Sequence, residues 1–387
     1  MKRVNPHRAY VRRCIAAARG RAALPRPEVV RTESVAGPAV ERLGTAGAEV
    51  PPDQAPDQAP DQAFVTASLE RAAENLRRDP AVAKPDRDHA LVAARDAYAR
   101  IRDGSDLDLR GAVMLEAIQI FDGSRPAIVV GADGAVAPQD PELGDWADEV
   151  ALQGQQIRTV AQSVALISVP GGAVGSGFRV GADRLLTNRH VLELIAMETA
   201  QGWRIAEGVE ARFIAGTETI TGVVFAGAQT IGGFTDLSRL DAAVLQLSGT
   251  GAAGLLVDGR LAGAGAEWPI GRDRPLHVIG YPLGYGDATG LSGAEKLYRG
   301  KIGKLCWSPG RLTTLPGEGF GDADREWALG YDISTLPGNS GSVVCDLQAN
   351  ASVALGLHIG GATGMGNWAH WLAGASNLLR HSVAFAP

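Results

Sequence analysis

The stretch Thr335-Leu336-Pro337-Gly338-Asn339-Ser340-Gly341-Ser342 decides which fold to expect of this chain. It sets a serine among glycines, in a tight turn that needs the backbone freedom of Gly338 and Gly341. In such a turn the backbone N–H groups of Gly338 and Ser340 can converge and stabilise an oxyanion. A run rich in valine, Ser342–Val344, follows at once and predicts a short strand. The serine is therefore expected beside a strand, in a β-rich part of the chain.

Outward from this turn, short strands separated by turn residues fill the rest of the carboxyl-terminal half. Residues 163–387 hold 39 of the 50 glycines of the chain and still carry many Val, Ile and Leu residues. The predicted strands are Ser163–Val169, Gly177–Val180, Ala211–Ile214, Gly222–Ala226, Ala242–Leu247, Leu276–Gly280, Ser342–Val344 and Val353–Ile359. Regular short strands of this kind indicate an antiparallel β-barrel or sandwich. Residues 376–381 are expected to form a final helix capped by Ser376.

The amino-terminal tail has a different character. Residues 1–31 carry nine Lys and Arg against one Glu, although the whole chain has a net charge of −6. Three Pro-Asp-Gln-Ala repeats then begin at Pro52, Pro56 and Pro60. Such a tract lacks the apolar surface that offsets the entropy of ordering, so residues 1–63 are expected to be disordered. The basic arm is interpreted as a solvated tail, and nucleic acid is not an expected partner.

Residues 64–162 are expected to form a helical and mixed accessory region, in which residues 105–162 act as a cover or spacer. One helix is predicted from residue 64 to 78, where Pro80 stops it. A second is predicted from about residue 86 to 101. A strand at residues 127–130 and a helical apolar spacing from Leu143 to Val160 complete the region.

Composition excludes several classes of protein. No uncharged apolar run reaches the roughly 18 residues that a membrane span needs. Three cysteines, Cys14, Cys306 and Cys345, are too few and too scattered for a disulfide scaffold, and no Cys-x-x-Cys pair indicates zinc. No metal or organic cofactor is implied. Arginines interrupt any apolar core at the amino terminus, so no secretion signal is predicted and the cytoplasm is the expected location.

Two further residues form a catalytic pattern with Ser340. A serine hydroxyl is a weak nucleophile near neutral pH unless a histidine accepts its proton, and that histidine needs a carboxylate to fix its tautomer. His190 directly follows a strand-like run, Leu185–Thr187. Asp241 stands at the head of an apolar strand, where a carboxylate is costly unless it is paired. Asp236 is a rival for the carboxylate, but its Gly, Thr and Ser neighbours indicate a loop.

Three blocks of sequence resemble the chymotrypsin-like serine proteases, in the order His, Asp, Ser that this family uses. The blocks are Gly175–Val180 continued by Leu185–Val191, then Leu240–Leu245, then Thr335–Ser342. The resemblance covers roughly residues 163–387. It implies a mainly β fold with two antiparallel six-stranded barrels and the site between them. It also implies a serine endopeptidase that acts on proteins or peptides, with His190 as general base, Asp241 as its orienting carboxylate and Ser340 as nucleophile.

The subgroup that the chain resembles most is the bacterial glutamyl endopeptidases. Two stretches carry this resemblance, Tyr331–Thr335 before the nucleophile and Gly356–Gly361 after it. The subgroup implies that Thr335 and His358 contact an acidic side chain at P1, the substrate residue before the cleaved bond. The His-x-Gly-Gly run also resembles viral cysteine proteases of the same fold that prefer P1 glutamine. An imidazole and a hydroxyl can both donate to such side chains, although His358 could equally be a barrel histidine with satisfied hydrogen bonds.

The sequence departs from trypsin itself at two positions. Asn339 precedes the nucleophile where trypsin has an aspartate that pairs with a newly cut amino terminus, so that activation device is absent. Ser334, six residues before the nucleophile, is not acidic, which argues against a preference for Lys or Arg at P1. The accessory helices are expected to hold the protease inactive until a regulatory partner binds or the chain is cut.

Other functions are weighed against this one. A binding module that keeps the fold but no longer cleaves remains the main alternative. An α/β-hydrolase is excluded, because its Gly-x-Ser-x-Gly elbow would need a glycine at Ser342 and a long crossover to a later histidine. Cys345 and the remaining histidines, His370 among them, fit no metal pattern and are expected to be structural.

Overall fold

The structure is a computed structural model that describes most of the chain after residue 61. The described residues are 30–32, 62–103, 105, 109–227, 234–235, 239–249, 251, 254–257, 271–284, 296–316, 328–336, 338–350, 353–362 and 366–386. Cys14, Asp236 and the Pro-Asp-Gln-Ala repeats lie outside them, and so does most of the tail for which disorder is predicted. Three residues of that tail, however, form a short strand, β1 (Val30–Thr32).

Helices fill most of the accessory region. In chain order they are α1 (Gln62–Arg78), α2 (Lys84–Arg102), α3 (Leu109–Phe121), a 3₁₀ segment (Pro141–Trp146) and α4 (Ala147–Ala161). Pro85 lies in the first turn of α2, where a missing N–H breaks no helical bond. The first two helices begin and end within two residues of the predicted bounds. The sequence pattern missed α3, because apolar residues are distributed all round this helix and show no helical period.

Six strands of the segment that follows close into a first barrel. The strands up to residue 247 are β2 (Ile128–Val129), β3 (Val164–Val169), β4 (Gly172–Gly181), β5 (Arg184–Thr187), β6 (Ala196–Thr199), β7 (Gly202–Ile205), β8 (Glu210–Phe213), β9 (Gly216–Ala226), β10 (Phe234–Thr235) and β11 (Ala243–Leu247). Neighbours pair in the order β11–β5–β4–β3–β8–β9, and β9 pairs back with β11. Alternating side chains such as Ile167, Leu185 and Leu245 fill one hydrophobic cluster of this barrel.

A second barrel follows. Its part of the chain contains β12 (Leu256–Val257), β13 (Pro275–Gly280), β14 (Cys306–Thr314), β15 (Ala328–Tyr331), β16 (Val343–Cys345), β17 (Val353–Ala354), β18 (Gly356–Ala362) and β19 (Gly366–Trp371). The pairing runs β18–β16–β13–β14–β15–β19, and β19 pairs back with β18. The predicted fold, mainly β with two antiparallel six-stranded barrels of the chymotrypsin-like type, is confirmed.

Strand prediction failed at particular residues of the second barrel. β14 was not predicted, because Pro309 and Gly310 usually interrupt a strand, yet Pro309 lies in register opposite His277 of β13. β15 and β19 were also missed. The predicted strand Val353–Ile359 is in fact two strands, since the chain leaves β17 at Leu355 before β18 begins.

The accessory region is joined to the second barrel rather than set apart from it. β2 pairs with β14, and β1 of the tail pairs with β18. Two ion pairs cross the same boundary, the buried pair of Arg125 with Asp332 and the partly buried pair of Lys301 with Glu142. The hydrophobic cluster of α1–α3 takes in three residues from the carboxyl-terminal half, namely Leu297, Tyr298 and Leu336. The region and the second barrel therefore share strand pairing, ion pairs and apolar packing.

Two short helices lie within the barrel region, α5 (Arg189–Ile195) and α6 (Ser376–Leu379). The prediction that Ser376 caps the final helix is wrong. Ala375 occupies the cap position, no side chain caps the helix, and Ser376 is already its first residue. Among the described residues, no helix has both the length and the apolar surface that crossing a membrane requires.

Candidate active site

His190 and Asp241 meet because they flank two paired strands. β5 and β11 are antiparallel neighbours, with Thr187 opposite Ala243. The residues that follow β5 therefore lie beside those that precede β11. His190, in the first turn of α5, places its Nδ1 2.6 Å from Oδ2 of Asp241, and its backbone N–H donates to Oδ1 at 2.9 Å. The imidazole and the carboxylate thus form a hydrogen-bonded pair.

This pair is buried and polarised. His190 is 7 % exposed, and Asp241 is fully buried. Burial alone would raise the pKa of Asp241, but the charge of the facing His190 and its hydrogen bonds outweigh burial and hold that pKa below its ordinary value. Asp241 is therefore an anion at neutral pH and accepts the Nδ1–H of the imidazole. The other nitrogen, Nε2, is left as the one that can take up a proton.

Ser340 lies in the turn that the glycines shape. Gly338 has φ +97° and Gly341 has φ +85°, both in the left-handed region that favours glycine. Space is short as well, because a Cβ on Gly341 would overlap the Ser176 carbonyl oxygen and one on Gly338 would overlap the Leu283 side chain. The turn therefore requires both glycines.

The hydroxyl of Ser340 does not bond the imidazole in this arrangement. It donates to the backbone oxygen of Ile359 at 3.3 Å. His190 Nε2 is buried and has no hydrogen-bond partner among the described residues. Catalytic hydrogen bonds are often long or unmade in unliganded enzymes and tighten when substrate binds. Two of the three predicted catalytic residues are thus bonded to each other, while the third still has to turn towards them.

Ser176 of β4 ties the two barrels together beside the turn, a role that the sequence did not reveal. Its N–H donates to the Ser340 carbonyl at 2.8 Å, and its hydroxyl donates to the Gly338 carbonyl at 3.0 Å. The same hydroxyl accepts the N–H of Tyr281 at 2.9 Å. Ser176 is fully buried, so each bond satisfies a polar group that water does not reach. The block Gly175–Val180 contained this residue but did not indicate its partners.

His370 is a second residue whose part in the site was missed. The sequence suggested a structural histidine near the last helix, but it lies on β19 and its Nε2 accepts the backbone N–H of Asp241 at 2.8 Å. Burial lowers the pKa of His370 to about 4, against the smaller opposing effect of the Asp241 charge. The ring is therefore neutral near pH 7 and can accept. This bond joins the backbone of Asp241, at the head of a first-barrel strand, to the barrel that carries Ser340.

The two P1 candidates lie in the second half of the site and have different partners. His358, on β18, is fully buried, with Nδ1 2.5 Å from the hydroxyl oxygen of Tyr331. The Thr335 hydroxyl donates to Oδ1 of Asn367 at 2.7 Å, and the Asn367 amide nitrogen donates to the Ile333 carbonyl at 2.6 Å. The sequence suggested that both candidates donate to substrate. In this geometry the Thr335 proton is used within the protein, and its oxygen is an acceptor.

The remaining thiols do not rival Ser340 as nucleophiles. Cys306 and Cys345 are free and buried on β14 and β16. Burial raises the pKa of both thiols, which keeps them in the unreactive protonated form. In the described part of the chain, no group of three or more His, Cys, Asp or Glu residues could hold a metal ion.

Comparison with known proteins decides the kind of domain. Residues 175–355, which contain His190, Asp241 and Ser340, match the family model described as a trypsin-like peptidase domain. A probable serine protease of Lysobacter enzymogenes is 29 % identical to the chain over 319 residues, which are 76 % of this chain and 81 % of that one. The chain is accordingly a serine-type peptidase, a hydrolase.

Two solved structures show a more distant likeness to this peptidase. The active form of the Rv3671c protease from M. tuberculosis is 18 % identical, covers 62 % of this chain and 88 % of its own, and has a TM-score of 0.38. An HtrA-type protease, AlgW, solved with a tripeptide, is 20 % identical, covers 58 % and 61 %, and has a TM-score of 0.39. These likenesses are too distant to add to the strand order described above.

Proposed function

We propose that this peptidase is a serine endopeptidase in which Ser340 is the nucleophile, His190 the general base and Asp241 the orienting carboxylate. The observation that carries the proposal is the buried hydrogen bond between His190 Nδ1 and Asp241 Oδ2, at 2.6 Å. A carboxylate in that place fixes the tautomer whose Nε2 lacks a proton. It also stabilises the imidazolium that forms when Nε2 accepts one.

In the proposed reaction, Ser340 Oγ attacks the carbonyl carbon of the scissile bond while its proton passes to His190 Nε2. The N–H groups of Gly338 and Ser340 hold the negative oxygen of the tetrahedral intermediate. The imidazolium then protonates the leaving amine, the C–N bond breaks, and an ester on Ser340 remains. A water molecule, deprotonated by the same imidazole, hydrolyses that ester and restores the serine. Before the first step, the hydroxyl must leave the Ile359 oxygen that it now bonds.

We further propose that the P1 side chain is an amide or acid, with glutamine cut faster than glutamate. The Tyr331 hydroxyl can donate its one hydrogen to the Trp368 carbonyl at 3.1 Å or to His358 Nδ1 at 2.5 Å, and we propose the second arrangement. A tyrosine that donates to Nδ1 leaves the proton of His358 on Nε2, where it can be donated to an oxygen. Thr335 offers an acceptor, because its own proton goes to Asn367. A donor beside an acceptor matches a side-chain amide, whereas a carboxylate brings no hydrogen for Thr335.

Covalent labelling with a fluorophosphonate tests the nucleophile. We expect one adduct per chain, on Ser340, and neither adduct nor peptide cleavage in Ser340→Ala. Ser168→Ala is the matched control, since Ser168 is a buried serine of the first barrel and should label normally. Equal labelling of Ser340→Ala and wild type would end the assignment. A wild-type chain that neither labels nor cleaves would favour the alternative, a binding module, with which the unmade Ser340–His190 bond is also compatible.

Cleavage of peptides that differ only at P1 tests the specificity. The kcat/KM should be highest for glutamine, lower for glutamate, and lowest for alanine and phenylalanine. Equal values for all four peptides would refute the P1 proposal while leaving the nucleophile untouched. Faster cleavage of the glutamate peptide would show that the Thr335 proton leaves Asn367 and turns to the substrate.

A further inference from the structure

The segment from Asp332 to Leu336, which leads from β15 to the nucleophile turn, has two differently occupied sides. On one side Thr335 bonds Asn367 and belongs to the proposed P1 site. On the other side Asp332 pairs with Arg125, which precedes β2 in the helical region. The wall of the substrate site is thus also the place where the helical region attaches.

The ion pair on this segment is unusually enclosed. The side chains of Arg125 and Asp332 are 5 % and 2 % exposed. The guanidinium donates to Oδ2 of Asp332, while Oδ1 accepts the backbone N–H of Arg311 at 2.6 Å. Arg125 also donates to the Ser124 carbonyl at 2.6 Å. Removing one partner of a buried pair leaves an uncompensated charge, which is strongly unfavourable, so Asp332 depends on Arg125 for its place.

Leu336 forms the second attachment. It is 5 % exposed and belongs to the hydrophobic cluster that α1, α2 and α3 build. Its carbonyl oxygen accepts the N–H of Asn339 at 3.1 Å. Asn339 is the residue directly before the nucleophile. One backbone hydrogen bond therefore connects the turn to a residue that the helices hold by apolar packing. Between them, Asp332 and Leu336 fix both ends of the segment.

We infer that residues 62–161 are a required part of the catalytic unit, because they hold residues 332–340 in their reactive arrangement. Arg125 is then a positioning residue for Ser340. The inference rests on the proposed role of Ser340. The inference is that the helices support activity, whereas the expectation from the sequence was that they keep the protease inactive. Contacts on the far side of the segment support its shape and leave the side that bears Thr335 to the substrate.

Lys301 provides a matched control for Arg125. It too forms an ion pair across the boundary, with its Nζ 2.7 Å from the Ala127 carbonyl and 2.5 Å from Oε2 of Glu142, whose side chain is 13 % exposed. Its side chain is 5 % exposed, as is that of Arg125. Lys301 precedes β14 and has no bond to the segment before the nucleophile. Loss of either pair should weaken the boundary, but only loss of Arg125 should disturb the site.

The experiment compares full-length wild type with Arg125→Met, Arg125→Lys and Lys301→Met. In Arg125→Met we expect the fluorophosphonate labelling rate and kcat to fall at least about tenfold, with KM little changed, because misplaced reacting groups lower the rate of chemistry. Arg125→Lys keeps the charge and should recover part of the loss. Lys301→Met should lower the melting temperature yet label at the wild-type rate. Hydrogen exchange in peptides spanning residues 332–340 should increase only in the Arg125 variants.

Different outcomes separate this inference from the proposed function. Unchanged labelling and exchange in folded Arg125→Met, or equal losses in Lys301→Met, would overturn it. If Arg125→Met does not fold, the milder Arg125→Lys decides by the same two measurements. If wild type itself takes up no fluorophosphonate, the proposed function fails, while increased exchange confined to the Arg125 variants would still support the positioning of the segment. Higher activity in Arg125→Met would show that the helices are a brake after all.

Discussion

The two barrels hold their shares of the candidate site in different ways. The first barrel supplies His190 and Asp241 from adjacent ends of β5 and β11, and the two side chains bond each other directly. The second supplies Ser340 on a turn whose carbonyl groups are held by Ser176 of the first barrel. The segment before that turn is anchored to Arg125 of the helical region. The two barrels thus position the base and its carboxylate, since His370 of the second barrel accepts the Asp241 N–H, whereas the nucleophile depends on the helical region as well.

This difference teaches where the site is robust and where it is dependent. The base and its carboxylate should keep their geometry when the helical region changes, because their bonds lie within the two barrels. The nucleophile should respond to changes in parts of the molecule that never meet substrate. The comparison can be broken or sharpened by substitutions on each side of it.

The largest effect is expected within the first barrel. Asp241→Asn should lower kcat/KM by about four orders of magnitude, because the amide favours the wrong tautomer of His190 while the fold is kept. Asp183→Asn, a change of a partly exposed carboxylate in the same barrel, is the control and should keep wild-type kcat/KM. A loss of less than about tenfold in Asp241→Asn would show that His190 does not depend on this carboxylate.

The second largest effect is expected where the first barrel supports the nucleophile turn. Ser176→Ala removes the bonds to Gly338 and Tyr281 and leaves two buried backbone groups unsatisfied. We expect kcat to fall by up to about a hundredfold, the cost of losing one oxyanion donor, since Gly338, whose N–H is the proposed donor, is no longer held through its carbonyl. Ser168→Ala should leave kcat unchanged. Equal kcat values for Ser176→Ala and Ser168→Ala would show that the turn does not need its bonds to the first barrel.

The bond between the barrels predicts a pH effect on stability. Folded His370 stays neutral down to about pH 4, whereas an unfolded histidine gains its proton near its ordinary value of 6.5. As the pH falls through this window only the unfolded state binds the proton, so stability is lost there, on the order of 3 kcal/mol, and no loss occurs above it. His370→Gln keeps an acceptor that does not titrate. Its free energy of unfolding should therefore decline less than that of wild type between about pH 6.5 and 4.

The matched control for this measurement is His381→Gln, which changes an exposed histidine and should leave the wild-type slope. Asp241 does not confuse the comparison. Its pKa lies below the ordinary 3.8, so the stability that it contributes is lost only at still lower pH. Parallel pH curves for wild type and His370→Gln would contradict a neutral, buried His370.

The smallest effect is expected at an exposed ion pair of the helical region. Arg158 lies 2.7 Å from Asp133, and the two side chains are 39 % and 64 % exposed. Solvent screens such a pair, so Arg158→Met should shift the melting temperature by at most about 2 °C and leave kcat unchanged. If Arg158→Met lowers the melting temperature as much as Arg125→Met does, the exposed and the buried ion pair contribute equally to stability.

Much of the fold could be predicted because its signals are local. Short β-branched runs gave most strands of the first barrel, and the glycines around Ser340 gave the nucleophile turn. The order of His190, Asp241 and Ser340 along the chain gave the three candidate catalytic residues. Each of these features depends on a few consecutive residues and on the backbone conformations that they allow.

The features that could not be predicted depend on contacts between residues that are far apart in the sequence. Asp241 and His370 are 129 positions apart, and Arg125 and Asp332 are 207 apart. No spacing rule in one sequence links such pairs, because their contact is fixed by the packing of whole barrels and helices. β14 escaped for a different reason: a strand with Pro309 in its middle contradicts local propensity, and pairing on both sides overrides that propensity.

The pairing of β2 with β14 has a consequence for how the protein is made. Ile128 and Val129 leave the ribosome long before their partners Trp307 and Cys306 exist. The core of the early-made helices also waits for Leu336. Nascent chains therefore expose apolar surface that attracts chaperones until residue 336 has been made. Arg125 likewise waits for Asp332, so the buried ion pair that anchors the segment before Ser340 forms only after β15 has been made.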